Sequence, residues 1–433
     1  MEIVKKAIGG NDILRVLRIK PFFYMMISEF FSQLAFNMQN FILILIVYSL
    51  THSNTAVSGI ILSFTIPAIL FSIISGVYVD RWSKKRVLFL ANLIRGLLLL
   101  PFLIPGLHVG FMYVLTFLIA VATQFFLPAE SSIIPFLVPK NLIIAANSIF
   151  SLGIYGTILF GYVLSGPILL LLGKPSTIIL LVLLFFISTF FILLIKPPQK
   201  AKKIYDTEFH STNSIGFSLV HETREIFSFV KKAKKVMHAL VVLTIAQAVI
   251  FMFAVLGPGY LSTVLDVEIE SLSWILIAPA ALGMGFGALI LGTFGKKFEP
   301  KWLSMMGFMI SGVTFILFPL GNKVASRDFI QNVNLYLPHS FTINTLHIVV
   351  ALAFITGFAI SLVFIPLNAT IQMESNEAIR GRIYGLLNAL IGAVSFLPVV
   401  LAGSLADLFG IPVVITGVGF MMLAISIFFL FFS

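Results

Sequence analysis

Twelve long apolar runs constrain this chain more than any other feature of its sequence. An α-helix needs about 20 mostly apolar residues to cross about 30 Å of hydrocarbon. The runs that meet this requirement are 22–49, 55–79, 86–106, 109–129, 141–172, 176–195, 238–264, 272–294, 302–320, 346–372, 382–408 and 412–432. Only 10% of the residues are charged, against about 25% in soluble domains. The sequence therefore predicts an all-α membrane protein with twelve transmembrane helices.

Basic residues predict the orientation of these helices. With the N-terminus in the cytoplasm, every Lys and Arg falls on the cytoplasmic side except Lys174, Lys323, Arg327 and Arg95, which lies within a span. Short cytoplasmic loops carry such an excess of positive charge. We therefore expect a multi-pass protein of the plasma (inner) membrane with both termini cytoplasmic. The net charge of +11 then reflects orientation next to anionic lipid and indicates no nucleic-acid partner.

The residue inventory argues against an enzyme or a metalloprotein. The chain has no cysteine, and its 7 histidines show no metal-ligand spacing. No two acids cluster within a predicted span. We expect no catalytic residues, no cofactor and no metal.

The halves of the chain resemble each other, which predicts two six-helix bundles. Phe126–Ile133 ends the fourth span and Phe364–Ile371 ends the tenth, with Phe, Pro, a hydroxyl residue and Ile recurring at matched positions. A basic, polar stretch separates the halves and contains an amphipathic segment, Ile215–Val236, typical of a helix on the membrane surface. The predicted domains are an N-terminal bundle (1–195), a cytoplasmic linker with this interfacial helix (196–237) and a C-terminal bundle (238–433).

The second and third spans are joined by a motif, Gly76-Val-Tyr-Val-Asp-Arg-Trp-Ser-Lys-Lys-Arg86. It resembles the loop between helices 2 and 3 of the major facilitator superfamily. The resemblance implies the major facilitator fold and a gating contact at the start of span 11, which forms when the cytoplasmic side closes. The residues implied are Gly76, Asp80, Arg81, Lys84, Lys85, Arg86, Gly381 and Arg382.

A narrower resemblance concerns the end of span 1 and the regions around spans 4, 5 and 11. Leu127–Pro139, Tyr48–Ser53 and Ala402–Asp407 are similar to the macrolide-efflux-like and siderophore-exporter-like branch of the superfamily. This similarity implies an exporter but identifies no substrate. The chain differs from many drug antiporters because span 4 contains Gln124 and no arginine.

Polar residues inside the spans are the remaining functional candidates, since a centred charge costs about 2.5–3.5 kcal/mol on insertion scales. Glu29 lies about seven residues into span 1, and Gln33, Asn37 and Asn40 continue along one helical face. Arg95, at a similar depth in span 3, is its possible partner. Two interpretations remain open: a structural role, in which Glu29 and Arg95 pair or form separate bonds to the backbone, or a protonatable acid beside a substrate-facing stripe.

Other polar side chains would line the central cavity of a major facilitator fold. With the stripe on span 1 they are Gln33, Asn37, Asn40, Tyr113, Gln124, Tyr155, Gln247, Asn368, Tyr384 and Asn388. Amides and phenols among many apolar residues suit a bulky, lipophilic substrate. The expected function is a monomeric secondary transporter that exports drug-like or other bulky small molecules by proton antiport. The alternatives are a permease for a siderophore, lysolipid or small solute, and a non-transporting membrane scaffold or sensor.

Overall fold

The computed structural model describes residues 12–195, 229–294, 298–319, 331–332, 334, 344–375 and 377–432. Its helices are α1 (Asp12–Leu17), α2 (Lys20–Thr51), α3 (Asn54–Arg81), α4 (Lys84–Leu99), α5 (Val109–Leu137), α6 (Ile143–Leu194), α7 (Lys234–Gly259), α8 (Ala278–Phe294), α9 (Pro300–Leu317), α10 (Thr345–Glu374), α11 (Glu377–Phe409) and α12 (Ile411–Phe432). The described residues contain no β-strand. Helices dominate because backbone groups in lipid must be hydrogen-bonded within their own segment.

The number of spans depends on one backbone break. Within the described residues, 11 helices are long and apolar enough to cross a membrane. The longest, α6, has 52 residues, and Gly173 within it has φ 71° and ψ 169°. A residue with these angles leaves the helical path, and Pro175 follows it, so α6 consists of two successive helices. These correspond to the predicted spans 141–172 and 176–195, and the predicted all-α fold is confirmed.

The chain forms two compact units. The first consists of Met1–Ile42 and Ser63–Phe217, and the second of Leu43–Leu62 and Ser218–Ser433. The helices α2 and α3 therefore each contribute to both units. The predicted boundaries at 195 and 238 stay a prediction, and most of the predicted interfacial helix Ile215–Val236 lies outside the described residues.

Each unit has its own packed interior. In the first unit, apolar side chains of α2, α3, α4, α5 and α6 meet in one buried cluster that includes Val79, Leu88, Phe126 and Ile133. In the second unit, α8 and α10 are in close contact through glycines. A Cβ atom at Gly357 would overlap the backbone of Ala280. Small residues allow this close approach, which supplies the van der Waals contact that holds membrane helices together.

Candidate functional site

Glu29 is a buried acid without a hydrogen-bonding partner. It lies in α2 within the first unit and is 1% exposed. Neither carboxylate oxygen accepts a hydrogen bond. The Gln33 amide, one turn further along α2, is close enough for a weak contact with the Glu29 carboxyl group, but the hydrogen bond that it forms with normal geometry is donated to Oε2 of Glu130 at 3.3 Å. A buried carboxyl group in this condition is costly to ionise, and such groups concentrate at functional sites.

Arg95 is fully buried but does not form an ion pair with Glu29. Its Nη1 donates to Oγ of Ser32 and to Oδ1 of Asn92, both at 3.1 Å. The guanidinium also lies over the Phe126 ring, 4.2 Å from the centroid, a geometry in which the ring face attracts a cation. The described residues therefore show no direct Glu29–Arg95 ion pair in this conformation, and whether Glu29 has a structural or a coupling role stays a prediction. The two charges influence each other only through space.

A chain of small polar groups holds Arg95 in place across three helices. Asn92 Nδ2 donates to Oγ of Ser188 at 2.7 Å, and Asn92 Oδ1 accepts from Ser32 Oγ at 2.9 Å. Ser188 Oγ in turn donates to the backbone oxygen of Ser28 at 2.8 Å. These contacts join α2, α4 and α6 in the first unit. The sequence pattern does not indicate Asn92, Ser32 or Ser188 as site residues, although Asn92 is one helical turn from Arg95 and shares its face.

The polar stripe on α2 is only partly available to a ligand. Asn37 Nδ2 donates to the backbone oxygen of Gln33 at 2.8 Å, and a Cβ atom at Gly161 of α6 would lie 2.7 Å from Asn37 Cβ. Asn40 is also buried, and its Oδ1 has no hydrogen-bond partner. Glu130 joins this group through Gln33. Folding therefore brings an acid of α5 to the polar stripe through Gln33, and no direct contact between Glu130 and Glu29 is observed among the described residues.

The other predicted cavity residues have varied environments. In the first unit, Tyr113 and Gln124 are half-buried, whereas Tyr155 is 72% exposed. In the second unit, Gln247 is half-buried and Asn388 is exposed.

Two of the predicted cavity residues in the second unit are in contact with each other. Tyr384 Oη donates to Oδ1 of Asn368 at 3.3 Å, and Gln372 Nε2 lies 3.5 Å from the same hydroxyl. These three side chains form a polar group between α10 and α11. Whether these candidates bind substrate stays a prediction.

The motif between α3 and α4 is described only in part. Lys85 Nζ donates to the backbone oxygens of Leu193 at 2.8 Å and Ile195 at 2.6 Å, so it caps the C-terminal end of α6. Lys84 is buried, Arg86 is exposed, and a Cβ atom at Gly76 would meet nothing within 4 Å. The side chains of the remaining four predicted gating residues lie outside the described residues: Asp80, Arg81, Gly381 and Arg382. The predicted latch between Asp80 and the start of α11 stays a prediction.

Residues 25–327 match the model of the Major Facilitator Superfamily. This match covers well over half of the chain. The chain belongs to the major facilitator superfamily. It is therefore a multi-pass membrane transporter of small molecules and not an enzyme. A comparison with curated proteins found no match for this chain.

Solved transporters share the fold of this facilitator at low sequence identity. A POT family transporter in complex with a thioalcohol-conjugated peptide has a TM-score of 0.69 and 16% identity, over 95% of this chain and 96% of that chain. A POT family transporter in complex with 5-aminolevulinic acid has a TM-score of 0.67 and 15% identity, over 95% and 96%. The nucleoside transporter NupG has a TM-score of 0.70 and 14% identity, over 96% and 100%.

Proposed function

We propose that this transporter exports lipophilic, drug-like or other bulky small molecules across the plasma membrane in exchange for protons. Both termini would be cytoplasmic, the protein would act as a monomer, and Glu29 would carry the coupling proton. The observation that carries this proposal is the burial of Glu29 without a hydrogen bond or an ion pair. The resemblance to macrolide-efflux-like and siderophore-exporter-like members supports export over uptake.

The environment of Glu29 supports a role in coupling. An ionised carboxylate there would lose its hydration without gaining donors. A proton can therefore leave Glu29 only when the surroundings change, for example when water reaches the site as the bundle rearranges. That dependence links proton transfer to conformation, which an exchange cycle requires. Arg95 would keep a positive charge nearby without holding the acid permanently ionised, since its Nη1 donates to Ser32 and Asn92 and it forms no ion pair with Glu29.

The polar side chains named as cavity candidates support a neutral or lipophilic substrate. They are amides and phenols, and no Lys or Arg is among them. A phosphate or dicarboxylate would need several cations for charge-assisted hydrogen bonds.

The Asn368–Tyr384–Gln372 group favours one alternative, a permease for a polar small solute, because its amides and hydroxyl could hydrogen-bond such a ligand. Peptide-bound POT and nucleoside transporters share this fold, and their fold is equally compatible with either substrate class.

The test is the substitution Glu29→Gln, which keeps the shape of the side chain but cannot titrate. Purified protein in proteoliposomes is given a pH gradient and a panel of lipophilic fluorescent dyes and polar solutes. We expect gradient-driven accumulation to fall at least tenfold while downhill exchange of the same dye continues. Glu268→Gln, outside the apolar spans, serves as the matched control and should transport normally.

Glu130→Gln separates Glu29 from Glu130, the other buried acid among the described side chains of the first unit. Full gradient-driven transport by the Glu29→Gln protein would contradict the coupling role. If the Glu130→Gln protein alone lost coupling, the proton site would have to be moved to Glu130. Gradient-independent movement of polar solutes only, by the unmodified protein, would support the permease instead.

A further inference from the structure

One carboxylate in the second unit accepts an unusual number of hydrogen bonds. Asp407 lies in the last turn of α11, and its five hydrogen bonds are with Ser53, Asn54 and Thr55, at the turn between α2 and α3 and the first residues of α3. Oδ1 accepts from the backbone N–H of Asn54 at 2.8 Å and from its Nδ2 at 2.9 Å. Oδ2 accepts from Ser53 Oγ at 2.7 Å and from the N–H and Oγ1 of Thr55 at 2.9 and 2.7 Å. The side chain thus caps the N-terminus of α3 from another helix.

The electrostatics of this contact favour a charged acid. The first N–H groups of a helix have no partner within the helix, and the helix dipole adds a partial positive charge at that end. Asp407 satisfies two of those N–H groups and places its negative charge beside them. A neutral side chain at this position can neither match the charge nor accept all five hydrogen bonds.

Behind Asp407, α3 and α11 form a seam of close contacts with helical spacing. Ser58 Oγ, one turn after Asn54, donates to the backbone oxygen of Val399 at 2.8 Å. Gly403, one turn before Asp407, is packed so closely that a Cβ atom there would overlap Ser58 Oγ and lie 2.6 Å from the backbone oxygen of Asn54. Asp407, Gly403 and Val399 thus follow one face of α11.

A second contact holds the end of α2 in the same unit. The Tyr48 hydroxyl lies 2.8 Å from Ser262 Oγ, and Tyr48 is buried. A Cβ atom at Gly259 would lie 2.6 Å from Asn54 Oδ1 and 3.1 Å from the Tyr48 hydroxyl oxygen. The segment Leu43–Leu62 is therefore held to the rest of the second unit by close contacts at both Tyr48 and Asn54.

Chain connectivity favours release of this contact when one unit moves relative to the other. The helices α2 and α3 pass from one compact unit into the other at Ile42–Leu43 and Leu62–Ser63. Any movement of one unit relative to the other must bend these helices or release Leu43–Leu62 from the second unit. After Pro21, α2 contains no proline or glycine in its 32 residues, the residues at which sharp kinks usually occur. The helix α3 contains Pro67 near its crossing and can bend there, so it is the straight helix α2 that makes release of the seam the easier route.

We propose that Asp407 is a latch that holds the α2–α3 turn on α11 in one state of the transport cycle and releases it in the other. The charge distribution predicts that this turn faces outward, so the latch would stabilise the outward-closed state. The inference rests on the conformational cycle of the proposed transporter, but not on proton coupling, substrate or direction. The carboxylate acts by positioning α3 and touches no substrate.

The experiment measures the latch directly in the full-length protein. The chain has no native cysteine, so spin labels attach only at introduced sites. Leu50→Cys in α2 and Val413→Cys in α12 are both exposed positions in the second unit. Distances between the labels are measured by double electron–electron resonance in lipid nanodiscs, with Asp407 intact or replaced by Asn.

We expect Asp407→Asn to shift the ratio of short to long distances at least fivefold toward the long distance. Gly403→Ala introduces a Cβ atom that clashes with Ser58 and Asn54 in the same seam without altering charge, and it should shift the ratio in the same direction. This variant provides the test if Asp407→Asn fails to fold. Asp266→Asn, a change of an acid outside the seam, should leave the distribution unchanged.

A latch differs from a purely structural contact in this readout. If folded Asp407→Asn and Gly403→Ala proteins keep the original distances and only melt at lower temperature, the seam is a fixed structural contact and the latch is refuted. If the distances shift but no proton-driven transport is found for the unmodified protein, the latch stands and the proposed antiport fails. The two proposals can thus fail independently.

Discussion

Stability measurements on Glu29 and Arg95 distinguish a coupling acid from a structural ion pair. If the two residues were a buried pair, removing either partner would cost about 3–5 kcal/mol, because it would leave an uncompensated charge. In this structure Glu29 accepts no hydrogen bond, so Glu29→Gln removes no stabilising contact. We expect the free energy of unfolding to fall by less than about 1 kcal/mol, or to rise, since an unpaired acid is removed.

Arg95→Met should behave differently. It removes two hydrogen bonds from a cation, worth about 1.5–3 kcal/mol each, and a cation–π contact with Phe126, worth about 0.5–2 kcal/mol. The Nε and Nη2 atoms of Arg95 are buried without partners, and losing them offsets part of this cost. The expected net loss is about 2–4 kcal/mol.

Unfolding in mixed micelles, followed by the fluorescence of the 3 tryptophans, measures both single variants and the double variant. We expect a coupling energy of less than about 1 kcal/mol between the two substitutions, as for residues that share no direct contact. A loss of 3 kcal/mol or more (about the lower limit for a broken buried pair) in Glu29→Gln, with similar coupling, would refute the reasoning. It would show that the pair forms in the membrane after all.

Two further predictions concern helix packing and capping, and both use the same unfolding assay. Gly283→Ala and Gly287→Ala should each lower the free energy of unfolding by about 1–3 kcal/mol through overpacking, because a Cβ atom at either position would overlap α10. Gly285→Ala on the same helix is the control: its Cβ atom meets open space, and the free energy of unfolding should not change. Equal effects at all three glycines would contradict the packing of α8 on α10. Lys85→Met should cost about 1–3 kcal/mol by leaving the carbonyls of Leu193 and Ile195 without their donor, whereas the exposed Arg86→Met should change stability by less than about 0.5 kcal/mol. A neutral Lys85→Met would show that water replaces the cap.

The sequence predicts the fold far better than it predicts the site. Membrane thickness and backbone hydrogen bonding demand helices of known length, so apolar runs locate the spans directly, and even the break at Gly173 falls between two predicted spans. Contacts between polar residues depend instead on how helices rotate and approach, which hydropathy does not encode. For this reason the sequence predicts Arg95 as a possible partner of Glu29, whereas in the fold its Nη1 donates to Ser32 and Asn92.

The two acids at the centre of these proposals lie in opposite environments, and this contrast supports different roles for them. Both carboxylate oxygens of Asp407 accept hydrogen bonds, and the residue lies at the exposed end of a helix. The anion is therefore stable there for as long as the seam is closed. Its contribution disappears when α3 moves away, which makes it sensitive to conformation. Glu29 accepts no hydrogen bond of normal geometry and is buried, so its protonation depends on conformation in the reverse sense: opening the structure to water makes ionisation easier. An exchange cycle can use one group of each kind. A group that stabilises one conformation sets how often each conformation is populated. A group that releases its proton in only one conformation links those populations to the pH gradient. If both proposals hold, Asp407→Asn should change how often the transporter opens while leaving transport dependent on the pH gradient, and Glu29→Gln should abolish that dependence while leaving the label distances of the latch unchanged.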